Sequence, residues 1–430
     1  MLTRAVAAAV ALLLAATGFQ APAAAKTKAP PRHDVTFTAW DFGDGDPGGA
    51  FSGTAVVAGA LTTTTPTGTR SYDDPHDSPD AGPATYEQAT WTSPTVGTPF
   101  GLTELVASWN ARTPDGSWVE VEVQGTAAGA TSKWYVLGRW SEADDQGFHP
   151  TSLGGQGDDT ATVAIDTLVT RAGVTLSDYR VRVSLLRRPG TAGPSVDLVG
   201  AMASHVVTPK KRATSPTTMT ADVELGVPTY SQETHTGHFP QWDDGGEAWC
   251  SPTSTTMVLR YFRPTSPSPA DYAWVTDQLP GEADPWVDHA ARHTYDYNYD
   301  GAGNWPFNTA YAARFGLEGF VTRLRSLAEA EQLVKAGIPV VVSMSFKSSE
   351  LDGAGYGTNG HLLTIVGFEA DGDPVVNDPA SHLVPSNDAV RVVYDRTEFE
   401  DAWIGSTGGV SYVIHPEDVP LPTAPTQANW

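Results

Sequence analysis

Glu247-Ala248-Trp249-Cys250-Ser251-Pro252-Thr253-Ser254 runs into the apolar stretch Met257-Val258-Leu259 and then Tyr261-Phe262. The rest of the chain reads outward from here, because Cys250 is its only cysteine. A lone thiol has no intrachain disulfide to make. Ser251 reads as a helix N-cap and Pro252 as the first helical position. The pattern predicts a sulfur at a helix N-terminus, where the macrodipole and free N–H groups favour a thiolate. A buried, inert cysteine is the bland alternative. The residues downstream weigh against it.

Gly360-His361-Leu362-Leu363-Thr364-Ile365-Val366-Gly367-Phe368 reads as a strand that begins at a histidine. After the turn Asp371-Gly372-Asp373, a strand Pro374-Val375-Val376-Asn377 leads to Asp378-Pro379. In this order Cys250, His361 and Asp378 form a thiol–imidazole–carboxylate set. A thiolate attacks a carbonyl, and an imidazole takes the thiol proton and later gives it to the leaving amine. A carboxylate holds the ring in the required orientation and tautomer. An upstream amide, Gln232 or Gln241, is a candidate donor to the oxyanion.

The hairpin poses a geometric problem. If it is symmetric about Asp371-Gly372, Asp378 pairs with Ile365, four residues beyond His361. That separation is roughly 13 Å, too far for a hydrogen bond. A bulge, a lopsided turn or a different orienting group is required. Asn377 faces the other side of a regular strand and is the weaker choice.

Four ordered stretches resemble the papain superfamily, and more closely the bacteriocin-processing (double-glycine) peptidases and their stand-alone secreted bacterial relatives. They are Val227-Pro228-Thr229-Tyr230-Ser231-Gln232, Trp249 to Ser254, Gly360-His361-Leu362-Leu363 and Asn377-Asp378-Pro379. The resemblance spans about Ala221 to Pro416. It implies Cys250 as nucleophile, His361 as base, Asp378 as orienting residue and Gln232 as oxyanion donor, with Gln241 as the alternative. It also implies peptide or protein substrates. Two features depart from the pattern: Gln232 lies 18 residues before the cysteine, and Ser251 stands where relatives commonly have glycine.

Two domains are expected, an all-β sandwich over residues 33–207 and an α+β papain-like cysteine peptidase fold over 221–418. A linker over 208–220 joins them and a tail covers 419–430. In the first, Val119, Val121 and Val123 alternate with Glu120, Glu122 and Gln124, and Tyr179 to Leu185 repeats the pattern. This predicts strands with one buried and one wet face. Thr62 to Pro94, rich in Thr, Ser, Pro and Asp, reads as a long loop. Trp109, Trp118, Trp134 and Trp140 are either core residues or stacking faces for carbohydrate or cell wall. In the second domain, Leu327–Ala336 and Thr397–Trp403 read as helices, with strands at 338–346, 391–394 and 409–414.

No metal or organic cofactor is expected. Asp41-Phe42-Gly43-Asp44-Gly45-Asp46 reads as an acidic glycine turn before it reads as a calcium site. Asp296-Tyr297-Asn298-Tyr299-Asp300-Gly301 opens like an EF-hand loop, but Phe307 stands where the bidentate Glu belongs. It reads as a structural turn beside the substrate cleft. His289 and His293, four apart, read as surface or packing residues rather than zinc ligands.

Residues 1–25, with Arg4, the apolar run Ala5 to Ala16 and Ala23-Ala24-Ala25, read as a secretory signal peptide with no membrane span. The expected product is secreted. With 26 Lys+Arg against 50 Asp+Glu, the net charge of −24 argues against nucleic acid as a partner. All candidate catalytic residues fall in the second domain, which is therefore expected to fold and act alone. A cell-wall amidase or transpeptidase using the same residues, or a non-enzymatic extracellular binding protein, are the alternatives.

Overall fold

The computed structural model describes residues 34–78, 80–144, 147–207 and 213–430. The expected signal peptide, and residues 208–212 of the expected linker, lie outside the described residues. The chain is mostly β, with six α-helices among the described residues, all beyond residue 249.

Residues 34–205 form two antiparallel sheets of seven and eight strands. The first is centred on Glu104–Arg112 and Ser195–His205, the second on Ser117–Ala127 and Leu176–Arg187. Side chains of both, such as Leu105, Ala107, Val119 and Val121, meet in one apolar cluster. Trp109, Trp118 and Trp140 are buried, so they are core residues, and Trp134 is half-buried under Arg180 and Arg182.

Two sequence expectations fail here for physical reasons. The Thr62 to Pro94 segment holds the strands Gly68–Tyr72 and Ala84–Thr92 rather than one long loop. Threonine is β-branched and at home in a pleat, so its abundance did not signal a loop. The polar face of Ser117–Ala127 is also dry. Glu120 is buried between Arg70 and Arg139, each 2.7 Å away, and Glu122 lies 2.6 Å from Arg182. Cross-strand ion pairs let a formally polar face be covered.

The second unit is built on a seven-stranded antiparallel sheet. Its order is Glu318–Arg323, Val410–His415, Val340–Phe346, Thr358–Phe368, Pro374–Asn377 and Arg391–Val393, with Val223–Glu224 paired to Thr358–Phe368. Helices α1 (Cys250–Phe262), α2 (Ala273–Gln278), α3 (Pro285–Thr294) and α4 (Trp305–Ala313) precede the sheet's main strands. Helix α5 (Leu327–Lys335) and helix α6 (Arg396–Thr407) are interleaved with them. Residues 213–220, expected as linker, are tied to this unit. Ser215 N–H donates to Glu400 at 2.8 Å, and Thr218 N–H donates to Glu331 at 2.7 Å.

The two units are packed together. An edge strand leaves N–H and C=O groups unpaired, and Glu318–Arg323 is an edge of its sheet. The Asn110 amide satisfies it, donating to Gly319 O at 2.7 Å and accepting from Gly319 N–H at 2.9 Å. Ser108 Oγ accepts from Val321 N–H, and Arg323 pairs with Glu104. Phe307 and Ala310 of α4 belong to the apolar cluster of the first unit, and Phe307 meets Trp109 edge-on. A further cluster joins Val35, Val106 and Met202 to Val258, Leu259 and Tyr311. The expected tail closes the seam: Phe37 N–H donates to Ala428 O at 3.0 Å, and Arg325 reaches both Val35 O and Gln427 O. Asn429 is fully buried.

This shared core argues against the expectation that the second domain folds alone. Produced without residues 34–207, residues 221–430 would expose Phe307, Ala310 and the unpaired edge at Gly319. The expected outcome is aggregation or loss of cooperative unfolding, read by size-exclusion chromatography and thermal denaturation. A soluble monomer melting as the full chain does would contradict it.

Candidate active site

Cys250 is the first residue of α1, with Trp249 at the N-cap position. Ser251 is therefore not the cap. Its hydroxyl lies 2.9 Å from Tyr412 Oη, and Pro252 falls inside the first turn, where a missing N–H leaves no intrahelical bond unmade. The helix starts two residues earlier than its capping residues suggest because Trp249 O already accepts from Thr253 N–H. Helix α1 lies on the strand Thr358–Phe368, where Ser254 Oγ donates to Leu362 O at 3.0 Å. That contact sets the cysteine-bearing helix against the histidine-bearing strand.

His361 Nε2 and Asp378 Oδ1 are 2.8 Å apart, both groups buried. The register explains how. The pairs Phe368↔Pro374 and Gly367↔Val375 centre the turn on Asp371, and a bulge at Val366 then gives Ile365↔Val376 and Thr364↔Asn377. Each irregularity slips the register by one residue. Extended by one pair, Asp378 falls opposite Leu363, two residues from His361 and on the same face. Both escapes from the geometric problem are used at once. Asn377 faces away, and its Nδ2 donates to Pro228 O.

Asp378 has further donors. Tyr356 Oη lies 3.0 and 2.9 Å from its two oxygens, Tyr394 Oη donates at 2.7 Å, and Ala380 N–H donates at 3.0 Å. Burial disfavours the carboxylate, but His361 and the two tyrosines outweigh it and hold Asp378 below its ordinary value. Burial likewise disfavours a charged His361, yet Asp378, and then a hydrogen bond with Cys250, raise the ring to about 10. With Nε2 on Asp378, Nδ1 is the ring nitrogen left for the thiol. Tyr356 also packs edge-on against the His361 ring. Neither tyrosine was found from sequence. The only available signal was chemical: a buried carboxylate beside one imidazole still has lone pairs to fill.

Gln232 begins a 3-10 turn, Gln232–His235, and is buried. Its Nε2 donates to Glu247 O at 2.5 Å, which uses one of two N–H bonds. Gln232, Cys250 and His361 line one cavity of about 960 Å³. Gln241 is exposed and does not border it.

Residues of the first unit form part of the same wall. The hairpin between Ala161–Ala164 and Thr167–Thr170 presents Ile165 and Asp166 to the cavity. Ile165 has φ of 60°, a left-handed conformation that costs a β-branched residue energy. Asp166 anchors the tip by accepting from Trp305 N–H at 2.9 Å and from Thr167 Oγ1 at 2.8 Å. Burial pushes Asp166 up to about 6. Tyr299 and Trp305 line the cavity as well. The Asp296 turn between them is structural: its carboxylate accepts from Ser152, Asn298 and Tyr299 N–H and from Asn304 Nδ2.

His289 and His293 are packing residues, the first buried and the second half-buried. Burial keeps both rings neutral, pushing His293 down to about 3, and their Nδ1 atoms meet Tyr311 Oη and Glu142 O. Among the described residues, Asp41, Asp44 and Asp46 do not converge to a ligand set.

Residues 36–204 match a family model described as the peptidase C39 N-terminal domain, and residues 224–411 match the Peptidase_C39 like family. No curated protein matches the chain. Among solved structures, a candidate C39-like peptidase from Bacillus anthracis is 19% identical over 45% of this chain and 96% of its own, with a TM-score of 0.27. A prointerpain A fragment from Prevotella intermedia is 14% identical over 51% of this chain and 77% of its own, with a TM-score of 0.27. Residues 224–411 are thus similar to the Peptidase_C39 like family, and residues 36–204 to the N-terminal domain that the family model describes.

Proposed function

We propose that this chain is a secreted cysteine peptidase that hydrolyses peptide bonds through Cys250, His361 and Asp378. In this reading a β-sandwich completes the cleft of a papain-like α+β domain. The observation that carries it is the meeting of Cys250, His361 and Gln232 at one cavity, with Asp378 sealed behind the ring. The Cys250 thiolate attacks the substrate carbonyl carbon. The resulting oxyanion takes the second N–H of Gln232 and the N–H of Cys250, which has no intrahelical acceptor at a helix start. His361 Nδ1–H protonates the leaving amine as the C–N bond breaks, leaving a thioester. The neutral ring then takes a proton from water, which attacks the thioester and frees the thiolate.

The cavity rim carries Glu104, Asp166, Glu233, Asp243 and Glu247 against Arg323. Carboxylates in a cleft favour cationic partners, so peptides containing Lys or Arg are the first substrates to try. The apolar run of residues 5–16 and the single thiol in a chain of this length support export.

Cys250→Ser should lower hydrolysis of such peptides by roughly 10⁴-fold or more. The variant should melt as the parent does, since a hydroxyl replaces a thiol at the same site. Full residual activity would remove the cysteine-peptidase reading. The same loss in Cys250→Ser, seen with cell-wall amides where peptides are not cleaved, would favour the amidase alternative.

A second expectation concerns pH. The stabilisation that Asp378 lends to protonated His361 is complete below the ordinary histidine value near 6.5, and is lost as pH rises through about 10. Imidazole NMR should find His361 still charged at pH 8. In Asp378→Asn the titration should move down by at least about one unit, as expected when an adjacent carboxylate is removed. A wild-type midpoint near 6.5 would contradict the ion pair.

A further inference from the structure

His235, His238, Glu282 and Asp288 come together outside the cleft. His235 closes the 3-10 turn that begins at Gln232, His238 follows it, Glu282 lies between α2 and α3, and Asp288 is in the first turn of α3. Their distances are short on every side. Asp288 Oδ2 is 3.0 Å from His235 Nδ1, and its Oδ1 is 3.0 Å from His238 Nδ1. Glu282 lies 3.9 Å from His235 Nδ1 and 3.7 Å from His238 Nε2. One ligand atom from each residue can be chosen so that all lie within 4.8 Å of one another. His235 and Asp288 are fully buried, and Glu282 and the His238 ring are mostly so.

Ligand type, spacing and charge agree on one kind of occupant. Around a tetrahedral zinc with bonds of 2.0–2.2 Å, neighbouring ligand atoms lie about 3.3–3.5 Å apart. From the single atom His235 Nδ1, the distances of 3.0 Å to Asp288 Oδ2 and 3.9 Å to Glu282 Oε1 bracket that value. Two imidazoles and two carboxylates suit a borderline cation that takes both nitrogen and oxygen. Two carboxylates in a cluster this buried bring negative charge that burial penalises and a divalent cation cancels. The competing arrangement is a metal-free knot in which both Nδ1–H groups donate to Asp288.

We infer that His235, His238, Glu282 and Asp288 form a structural site for one divalent cation of the zinc class. It pins the segment carrying Gln232 to helix α3. The pinned segment adjoins the cysteine helix: a Cβ on Gly246 would come within 2.3 Å of His235 C and 2.5 Å of Gln232 O, and the His235 ring is 6.1 Å from that of Trp249. His289 and His293, four apart on α3, stand outside this cluster.

The full chain, free of any affinity tag, is equilibrated with a small excess of zinc, desalted and measured by mass spectrometry for metal. One zinc per chain is expected. In His238→Ala and Glu282→Gln, both at the rim of the cluster, affinity should fall at least about 100-fold with the far-ultraviolet circular dichroism unchanged. Cobalt in place of zinc should show the visible absorption of a four-coordinate ion in the parent and lose it in both variants. A folded parent that retains no zinc would overturn the site in favour of the hydrogen-bonded knot. Retention of zinc by folded His238→Ala and Glu282→Gln at parental affinity would place the ion elsewhere and overturn it equally. Neither result depends on peptidase activity.

Discussion

The contact between His361 and Asp378 organises the second half of this molecule. A carboxylate and an imidazole buried together are costly unless every oxygen finds a donor and the ring finds its counter-charge. Here the ring, two tyrosine hydroxyls and the Ala380 N–H supply them. Three separated segments must therefore arrive together: Tyr356 to His361, Asp378 to Ala380, and Tyr394 beyond Arg391–Val393. The bulge at Val366 and the turn centred on Asp371 make this possible. A regular hairpin would leave Asp378 without its imidazole. Bulges beside functional residues act in this way, re-aiming a side chain at the expense of one ladder pairing.

The first domain is fastened to this frame by a different device. Asn110 imitates a neighbouring strand, giving Gly319 both of the hydrogen bonds that an edge residue lacks. Phe307 then crosses from α4 into the core of the first domain. One consequence is geometric, because the same docking holds the Ile165–Asp166 tip against Trp305 at the cleft. Another is thermodynamic, since the clusters that span the seam couple the unfolding of both halves.

The candidate site was legible in the sequence because the chemistry proposed for it uses rare residues in a fixed order. A lone cysteine before an apolar helical run, a histidine opening a strand and an aspartate closing a hairpin need no tertiary information to notice. Their strands and the helix at 327–335 were legible for the same reason, as short apolar runs bounded by Gly, Pro or Asp. What escaped is what depends on tertiary partners. Tyr356 and Tyr394 have no spacing that links them to Asp378. Glu318–Arg323, α3 and α4 were missed, and α4 buries faces on both domains, so its pattern is not amphipathic. The helix start was misplaced at Ser251, whose hydroxyl serves Tyr412 instead of the backbone. Modularity was over-read, because side chains such as Asn110 and Phe307 give no sign in sequence that they cross a domain boundary.

The central claim is that Cys250 reacts as a thiolate paired with a charged His361. The most direct measurement is the rate at which a thiol-directed peptidyl electrophile labels the purified full chain at neutral pH, with the adduct located by peptide mapping. The account predicts rapid labelling at Cys250, slowed by a hundredfold or more, on the order of a general-base contribution, in a folded His361→Ala variant. Equal labelling of the two proteins would contradict it.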